Sequence, residues 1–169
     1  MTTTASTEAP FVAIDRPARP IWHDVPSLAT ANELSGRSLI GHLGIEFFEV
    51  GEDCLVARMP VDDRTRQPVG VLHGGASVAL AETLASWAAT FTVDRDRANC
   101  VGMEINANHI RPVTSGWVTG VASPIALGRR TQVWEIRITD DAGKLVCLSR
   151  CTMAVIARTV PGDVSSSQT

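Results

Sequence analysis

One carboxylate stands alone in a long uncharged stretch of this sequence, and its position favours a catalytic role. Glu82 is the only charged residue from 74 to 93, a stretch whose apolar and small side chains predict one long helix. An ionised carboxylate in apolar surroundings is costly, so Glu82 must be neutralised, hydrogen-bonded or facing a cleft. Ser86, one turn further on, can reach Glu82 or a water held between them. The alternative is a glutamate tied to a core partner, although the helix contains no basic residue to pair with it.

The start of the same helix has the features of an oxyanion site. The run from Leu72 to Ala76 contains His73, Gly74 and Gly75. The first turn of a helix has unpaired N–H groups and a partial positive charge, and glycines let a ligand oxygen approach the backbone. The His73 imidazole lies beside these donors. The alternative is that the glycines only permit close helix–sheet packing and that His73 is a partly buried structural histidine.

The spacing of these groups predicts a site shared between two chains. His73 and Glu82 are nine positions apart, which is about 13.5 Å along a helix axis at about 1.5 Å per residue. Reacting groups must come within roughly 3–3.5 Å of one carbonyl, so a single helix cannot supply both. Two antiparallel helices related by a two-fold axis can do so. If both residues are catalytic, the protein is at least a dimer with sites at the interface.

The elements that must position these residues are those of an α+β domain. Ser27 is a plausible N-cap of a short helix that ends near Gly36. The long helix, 74–93, is apolar on nearly all sides and is therefore expected to be surrounded, most simply by a curling antiparallel sheet. Two turn signals, 51–53 and 140–143, separate strand-like runs. The predicted strands are 42–50, 54–61, 100–111, 116–125, 131–139 and 144–156.

Length and composition limit the possible classes of protein. The 169 residues, 44% of them hydrophobic, are enough for one domain whose core needs neither disulfides nor a metal. We divide the chain into a flexible arm at 1–26, a domain at 27–157 and a disordered tail at 158–169. A net charge of −3 argues against a nucleic-acid-backbone binder. The central Glu82 and the Ala- and Gly-rich composition argue against a membrane span.

The cysteines and histidines indicate neither disulfides nor a metal site. The four cysteines form no CxxC pair and fall in strand-like runs, which predicts buried thiols in a reducing compartment, the cytoplasm. No secretory signal is visible at the start. The four histidines show no helical metal-ligand spacing, so we expect no metal site. They are His23, His42, His73 and His109.

Four segments resemble one known family. They are 66–77 (RQPVGVLHGGAS), 81–86 (AETLAS), 102–109 (GMEINANH) and 132–134 (QVW). Together they are similar to the acyl-CoA thioesterases of the hotdog fold, and within these to the 4-hydroxybenzoyl-CoA and 1,4-dihydroxy-2-naphthoyl-CoA group. The resemblance covers roughly residues 30 to 157. It implies a long central helix wrapped by a curved antiparallel sheet of about six strands, and a homodimer or a homotetramer.

The resemblance also implies a role for each matching residue. Glu82 matches the catalytic carboxylate, as nucleophile or as general base for water. The N–H of Gly74 matches the donor that polarises the thioester carbonyl, and His73 and Gln67 match side chains that orient the carbonyl or the leaving sulfur. Ser86 matches a hydroxyl that positions the carboxylate or the water. Catalysis in the family needs no metal and no cofactor beyond the CoA of the substrate, and the resemblance implies that this CoA carries an aromatic acyl group.

Basic residues that bind the phosphates of CoA are expected at strand ends and turns. Arginine binds phosphate through two hydrogen bonds at once. The candidates are His109, Arg111, Gly128, Arg129 and Arg130, with Arg64 and Arg66 as weaker ones. A solvated surface arginine is the alternative for each. Trp87, where relatives have a smaller residue, points away from the Glu82 face of the helix, so we expect it to pack in the core or an interface rather than contact substrate.

Two other functions remain compatible with the fold. Hotdog domains also host acyl-thioester dehydratases, because fold does not fix function. That chemistry uses an Asp/His pair from a different local motif, which this sequence lacks. A non-catalytic acyl-CoA sensor is the other alternative, and the presence of Gln67, His73, Glu82 and Ser86 together argues against it. Thiol release from acyl-CoAs separates the three.

Overall fold

A computed structural model describes residues 20–158 and shows six strands and one long helix. The sheet order is β1-β2-β4-β5-β6-β3, and every neighbouring pair is antiparallel. This confirms the predicted hotdog architecture of a long helix against a curved antiparallel sheet. The elements are α1 (Leu28–Ser35), α2 (Leu39–His42), β1 (Glu46–Val50), β2 (Leu55–Pro60), α3 (Gly74–Phe91), β3 (Ala98–His109), β4 (Trp117–Leu127), β5 (Thr131–Asp140) and β6 (Leu145–Ala157).

The segment before β1 differs from the prediction. Residues 42–45 were expected to begin the first strand, but they end the short helix α2 and form a turn. The Ser38 hydroxyl caps α2 by accepting the N–H of Ile40, and Gly44 then reverses the chain with a φ of 69°. The strand prediction was wrong because a short apolar run has no period that distinguishes a helical turn from a strand. The predicted Ser27 cap of α1 is confirmed.

Both predicted turns form as expected. The N–H of Gly51 donates to the carbonyl of Cys54 and closes the β1–β2 hairpin. Between β5 and β6, Gly143 donates its N–H to the carbonyl of Asp140 and has a φ of 73°. A positive φ costs glycine little, because it has no Cβ. These turns fix the register of the two hairpins.

The core lies between α3 and the concave face of the sheet. Leu80 and Leu84 of α3 are fully buried against strand residues such as Trp134 and Ile136. Gly120 of β4 allows this close approach, since a Cβ there would lie 2.6 Å from Cδ1 of Leu84. Each buried aliphatic side chain contributes about 1.5–3 kcal/mol to folding, so this layer is the main source of stability.

One face of α3 is not covered within the chain. Glu82 is exposed, and Val78, Ala79, Thr83 and Ser86 are only partly buried. The curved sheet therefore wraps one side of the helix within a single chain and leaves the other side open. The sheet curves over one side, where Ala81, Leu84 and Ala88 lie at helical spacing, and the opposite side keeps a mixed surface of small apolar and polar side chains.

Residues 20–26 lie against the body of the domain. The indole N–H of Trp22 donates to the carbonyl of Gly51, and the backbone N–H groups of Ile21 and His23 donate to Glu52 and Phe91. The rest of the predicted arm, and the predicted tail after residue 158, lie outside the described residues. Within residues 20–158, no helix is long and apolar enough to cross a membrane.

The cysteines match their prediction in part. Cys147 and Cys151 are buried, whereas Cys54 and Cys100 are half-buried, and none of the four is in a disulfide. Burial raises the pKa of the Cys100 and Cys147 thiols above its ordinary value. A thiol with a raised pKa is a poor nucleophile, so these two side chains behave as small apolar groups.

Candidate active site

His73 caps α3 with its own side chain. It has an extended backbone, and its Nδ1 accepts the N–H of Gly75 at 2.8 Å. A ring nitrogen that accepts an N–H carries no proton, so the neutral imidazole holds its proton on Nε2. Gly75 leaves room for the ring, because a Cβ there would lie 3.0 Å from Nδ1. The exposed Nε2–H of His73 is therefore available as a hydrogen-bond donor.

A cavity of about 410 Å³ opens beside the first turn of α3. Gln67, Gly74, His109 and Arg111 line it, together with Ser77. Within the described part of the chain the N–H of Gly74 has no acceptor, as expected for the first residue of a helix. This donor and the helix dipole make the cavity suited to a carbonyl oxygen that gains negative charge.

Backbone hydrogen bonds hold the walls of this cavity together. The N–H of Leu72 donates to the carbonyl of Val113 at 2.7 Å, and that of His73 donates to Thr65 at 2.8 Å. The first bond joins the start of α3 to the segment that follows β3, and the second joins it to the loop that follows β2. As a result the His109 ring lies over Gly74, where a Cβ would be 2.8 Å from Nε2. A side chain at 74 would therefore have to displace the His109 ring, and glycine also leaves the N–H open to a ligand.

Glu82 lines a second cavity, of about 340 Å³. Its carboxylate has no hydrogen-bond or ion-pair partner among the described residues and faces a cleft. A cleft is one of the three environments that the sequence allows for this side chain. Ser86 lines the same cavity. Oε1 lies 3.0 Å from the position a Cβ of Gly102 would take, so the glycine on β3 leaves the space that the carboxylate occupies.

The negative charge of Glu82 affects the pKa of the buried Cys151 thiol. Burial, with smaller contributions from the negative charges of Glu82 and Glu104, raises the pKa of Cys151 to about 11. Cys151 is 1% exposed, and its thiol contacts the sulfur of Met153 at 3.5 Å. The thiol therefore stays protonated near neutral pH.

Trp87 packs against the core, as the sequence predicts, and its indole also lies in the wall of the Glu82 cavity. Five positions along a helix are about 500°, which leaves Trp87 about 140° around from Glu82. The cavity spans this arc because α2 and Ile45 wrap around that side of α3. The indole is fixed between two rings, with centroids 5.2 Å from Phe47 and 5.8 Å from Phe91. The remaining apolar wall is formed by Leu39, Ile40, Leu43, Ile45 and Ala79.

The predicted CoA-binding residues fall into two separate groups. His109 and Arg111 line the cavity at the start of α3, whereas Gly128 and Arg129 line a cavity of about 360 Å³ beside Thr92, just after its end. The 18-residue helix between them is about 27 Å long. One chain therefore cannot bring both groups to one phosphate. Arg130 is exposed and lines neither of these cavities.

The two weaker arginine candidates have local partners. The guanidinium of Arg64 lies 2.6 Å from the Asp62 carboxylate, and this contact holds the pKa of Asp62 below its usual range. Arg66 donates to the carbonyl of Val61 and lies 3.8 Å from Asp63. Both side chains brace the loop before α3.

The structure thus divides the predicted catalytic residues between two places. Gln67 and Gly74 share one cavity, Glu82 and Ser86 share another, and His73 is exposed at the start of α3. Sequence reasoning did not include Ser77 or Trp87 in the site. Ser77, in the first turn after the two glycines, could have been found from its helical spacing to Gly74, and Trp87 could not. Among residues 20–158, no three His, Cys, Asp or Glu side chains are grouped as metal ligands.

Comparison with known proteins identifies the family. The thioesterase superfamily matches residues 69–147. A 1,4-dihydroxy-2-naphthoyl-CoA hydrolase of Escherichia coli is 46% identical over 136 residues, which are 80% of this chain and 99% of that protein. The proofreading thioesterase EntH of Cronobacter turicensis is 51% identical over 136 residues, covering 80% and 98% of the two chains. The structure of a mutant thioesterase from Pseudomonas aeruginosa superposes with a TM-score of 0.81 at 48% identity, covering 82% and 99%.

These findings agree with the fold and with the residues at α3. The chain belongs to the thioesterase superfamily and has its hotdog fold. It is a thioester hydrolase.

Proposed function

We propose that this thioesterase hydrolyses an aromatic acyl-CoA to the free acid and CoA, at sites that each combine residues of two chains. The observation that carries the proposal is the accessible carboxylate of Glu82, without a partner in the described chain and set in an apolar cavity. The relative named as a 1,4-dihydroxy-2-naphthoyl-CoA hydrolase supports both the CoA and the aromatic ring.

The chemistry needs one base or nucleophile and one set of donors. In hydrolysis the carbon–sulfur bond breaks, water supplies the new oxygen of the acid, and the leaving thiolate takes a proton to become the CoA thiol. Glu82 either accepts a proton from the attacking water, positioned with Ser86, or attacks the carbonyl itself to form an anhydride that water then opens. The N–H of Gly74 stabilises the negative oxygen, and His73 and Gln67 orient the carbonyl or the sulfur. No metal or further cofactor takes part in this proposal.

A second chain is needed to bring these groups together. In one chain the cavities of Gly74 and Glu82 are distinct, and the two residues are eight positions apart on one helix. The uncovered face of α3 mixes small apolar and polar side chains around Glu82, and a second chain can pack against it. Strand β3 is at the edge of the sheet, with Val101 and Met103 exposed, and an edge strand can pair with another chain. A two-fold axis that pairs the β3 edges would set the two α3 helices antiparallel.

The Glu82 cavity is suited to a flat apolar group. Its walls are aliphatic side chains from α2 and α3 and the indole of Trp87, and its volume is about 340 Å³. An aromatic ring packs well against an indole, in offset or edge-to-face contact. The rigid packing of Trp87 against Phe47 and Phe91 limits how far a long flexible chain could extend. We therefore favour an aryl over a long aliphatic acyl group.

The nucleotide of CoA is proposed to bind beside His109 and Arg111, next to the Gly74 cavity. Gly128, Arg129 and Arg130 are about one helix length away, so they can contribute to the same CoA only from another chain, as in a dimer of dimers. The cytoplasmic location stays a prediction of the sequence.

Thiol release from a panel of thioesters tests the proposal. Aryl-CoA, aliphatic acyl-CoA and acyl-carrier thioesters are compared, with kcat/KM expected to be largest for an aryl-CoA. Glu82→Gln should lower kcat at least about 100-fold, the low end for loss of a general base. Glu33→Gln, which removes an exposed glutamate from α1, is the control and should leave kcat unchanged. Binding of acyl-CoA without thiol release would instead indicate a sensor, and hydration of an enoyl-CoA a dehydratase.

A further inference from the structure

Ser77 is buried in the wall of the proposed oxyanion cavity, yet its hydroxyl forms no hydrogen bond within residues 20–158. The residue is 2% exposed and lines the cavity together with Gln67 and Gly74. Buried side-chain hydroxyls in proteins almost always have a partner, because an unsatisfied polar group destabilises the fold. A hydroxyl kept unpaired in a cavity wall points to a ligand atom as its partner.

The helix geometry directs this hydroxyl to the first turn of α3. Ser77 follows Gly74 by three positions and His73 by four, so the three residues lie on one face of the chain. Side chains on a helix lean toward its N-terminus, which places the Ser77 side chain over the turn at Gly74. A helical serine often bonds to the carbonyl four residues earlier. Here the His73 carbonyl accepts the N–H groups of Ala76 and Ser77, and the hydroxyl stays unbonded.

We propose that the Ser77 hydroxyl is a second donor to the thioester carbonyl oxygen, beside the N–H of Gly74. This inference rests on the proposed function. A carbonyl oxygen has two lone pairs and can accept both bonds, and both strengthen as the oxygen gains negative charge in the transition state. Ser77 and Gly74 then belong to the same chain of the shared site, while Glu82 comes from its partner. Ser77 makes no covalent bond in this role.

Two matched serine-to-alanine variants test the role. Ser77→Ala should lower kcat at least about tenfold, since loss of an oxyanion donor acts on the transition state, and should change KM less than about threefold. Its thermal midpoint should change little, because the hydroxyl lines a cavity and has no hydrogen-bond partner among residues 20–158. The control is Ser35→Ala, which removes a buried hydroxyl without a partner among residues 20–158, in a cavity lined by Asn32, Gly41 and Arg64. It should leave kcat unchanged.

A third variant separates lost hydrogen bonding from lost packing. Ser77→Cys replaces the hydroxyl with a somewhat larger thiol, which fills the space but donates only weakly. Low kcat in both Ser77 variants supports the donor role, whereas recovery in Ser77→Cys would show that only volume matters and would overturn it. A fall in the thermal midpoint of Ser77→Ala, with dissociation of the oligomer, would show that the hydroxyl binds the second chain and would overturn the role as well.

The same assays distinguish failure of this role from failure of the proposed function. Hydrolysis that depends on Glu82 but is unchanged within twofold in Ser77→Ala overturns the role of Ser77 alone. Absence of thiol release by the wild-type protein, with every thioester of the panel, overturns the proposed function and this role together.

Discussion

At the scale of single residues, His73 combines a structural and a proposed chemical role. Its Nδ1 accepts the N–H of Gly75 and so caps α3, which leaves the proton on Nε2, pointing away from the helix. The cap thus selects the tautomer that can donate to a substrate. The two roles can be separated because asparagine caps a helix well but is shorter than histidine.

We predict that His73→Ala loses both the helix cap and the proposed donor to the substrate, whereas His73→Asn keeps the cap and loses only the donor. Without a cap the free energy of unfolding should fall by about 0.5–2 kcal/mol in His73→Ala, and asparagine should restore most of it. Both variants should lower kcat at least about tenfold, because neither reaches the carbonyl with an Nε2–H. Denaturant unfolding and steady-state kinetics measure the two effects. Full activity in His73→Asn would show that the histidine is a cap and nothing more.

The Cys151 thiol should make stability fall at alkaline pH. Its pKa is about 11 in the folded protein and about 9 when unfolded, where burial and the charges of Glu82 and Glu104 no longer act. Between these values the unfolded chain releases a proton that the folded chain keeps, so the contribution to stability is complete below pH 9 and lost as pH rises through 11. Cys151→Ala should therefore show a shallower fall over this range in chemical denaturation. Equal slopes in both proteins would contradict the assignment.

At the scale of elements, the sequence predicted the strands well and the walls of the site poorly. All six strands and α3 were expected at nearly their observed places, because their apolar alternation, turns and length are local properties. The candidate catalytic groups of α3 could also be predicted from the sequence, since Glu82, His73 and the glycines are within one motif. The residues of the cavity wall could not be predicted. It depends on α2, whose four residues are too short for a periodic signal, and on how α2 and Ile45 wrap around Trp87.

This placement predicts that Trp87 restricts the size of the acyl group. In Trp87→Ala the Glu82 cavity should be larger, so kcat/KM for a long aliphatic acyl-CoA relative to an aryl-CoA should rise about tenfold or more. Small differences in how a pocket is filled are worth roughly 10–200-fold, so this change is measurable. Competition assays with paired substrates give the ratio directly.

Phe91→Leu is the matched control for Trp87. Phe91 stacks on the indole at 5.8 Å and is buried, but it is not part of the cavity wall. The variant should be destabilised through lost packing while keeping the wild-type acyl preference. An unchanged preference in Trp87→Ala, or an equal change in Phe91→Leu, would show that the indole acts through general packing and not as a wall.

At the scale of the whole molecule, Gly74 and Glu82 of one chain lie in two separate cavities. The Gly74 cavity has donors without a carboxylate, and the Glu82 cavity has a carboxylate without backbone donors. The uncovered face of α3 and the open edge of β3 lie on the side where a second chain would supply what is missing. A two-fold axis would repeat this exchange, so that each dimer contains two complete sites.

Mixing two inactive variants tests this sharing. One chain carries Glu82→Ala and the other carries Gln67→Ala together with His73→Ala, and each is expected to lose at least about 100-fold in kcat as a homodimer. Co-refolding in equal amounts gives about half heterodimers, each with one site lacking all three side chains and one site intact. Activity should return to about a quarter of the wild-type value per chain. Sites made from one chain would give no recovery, because every chain still lacks part of its machinery.

The controls make the result of mixing decisive. Native mass spectrometry should show the heterodimer, since the two variants differ in mass. Each variant refolded with itself should stay inactive, which excludes recovery through refolding alone. The activity should also rise and fall with the heterodimer fraction as the mixing ratio is varied, with its maximum at equal amounts, because the intact site exists in that species alone. Verified heterodimers without activity would show that Glu82 and the Gly74 cavity do not act on the same carbonyl across the interface.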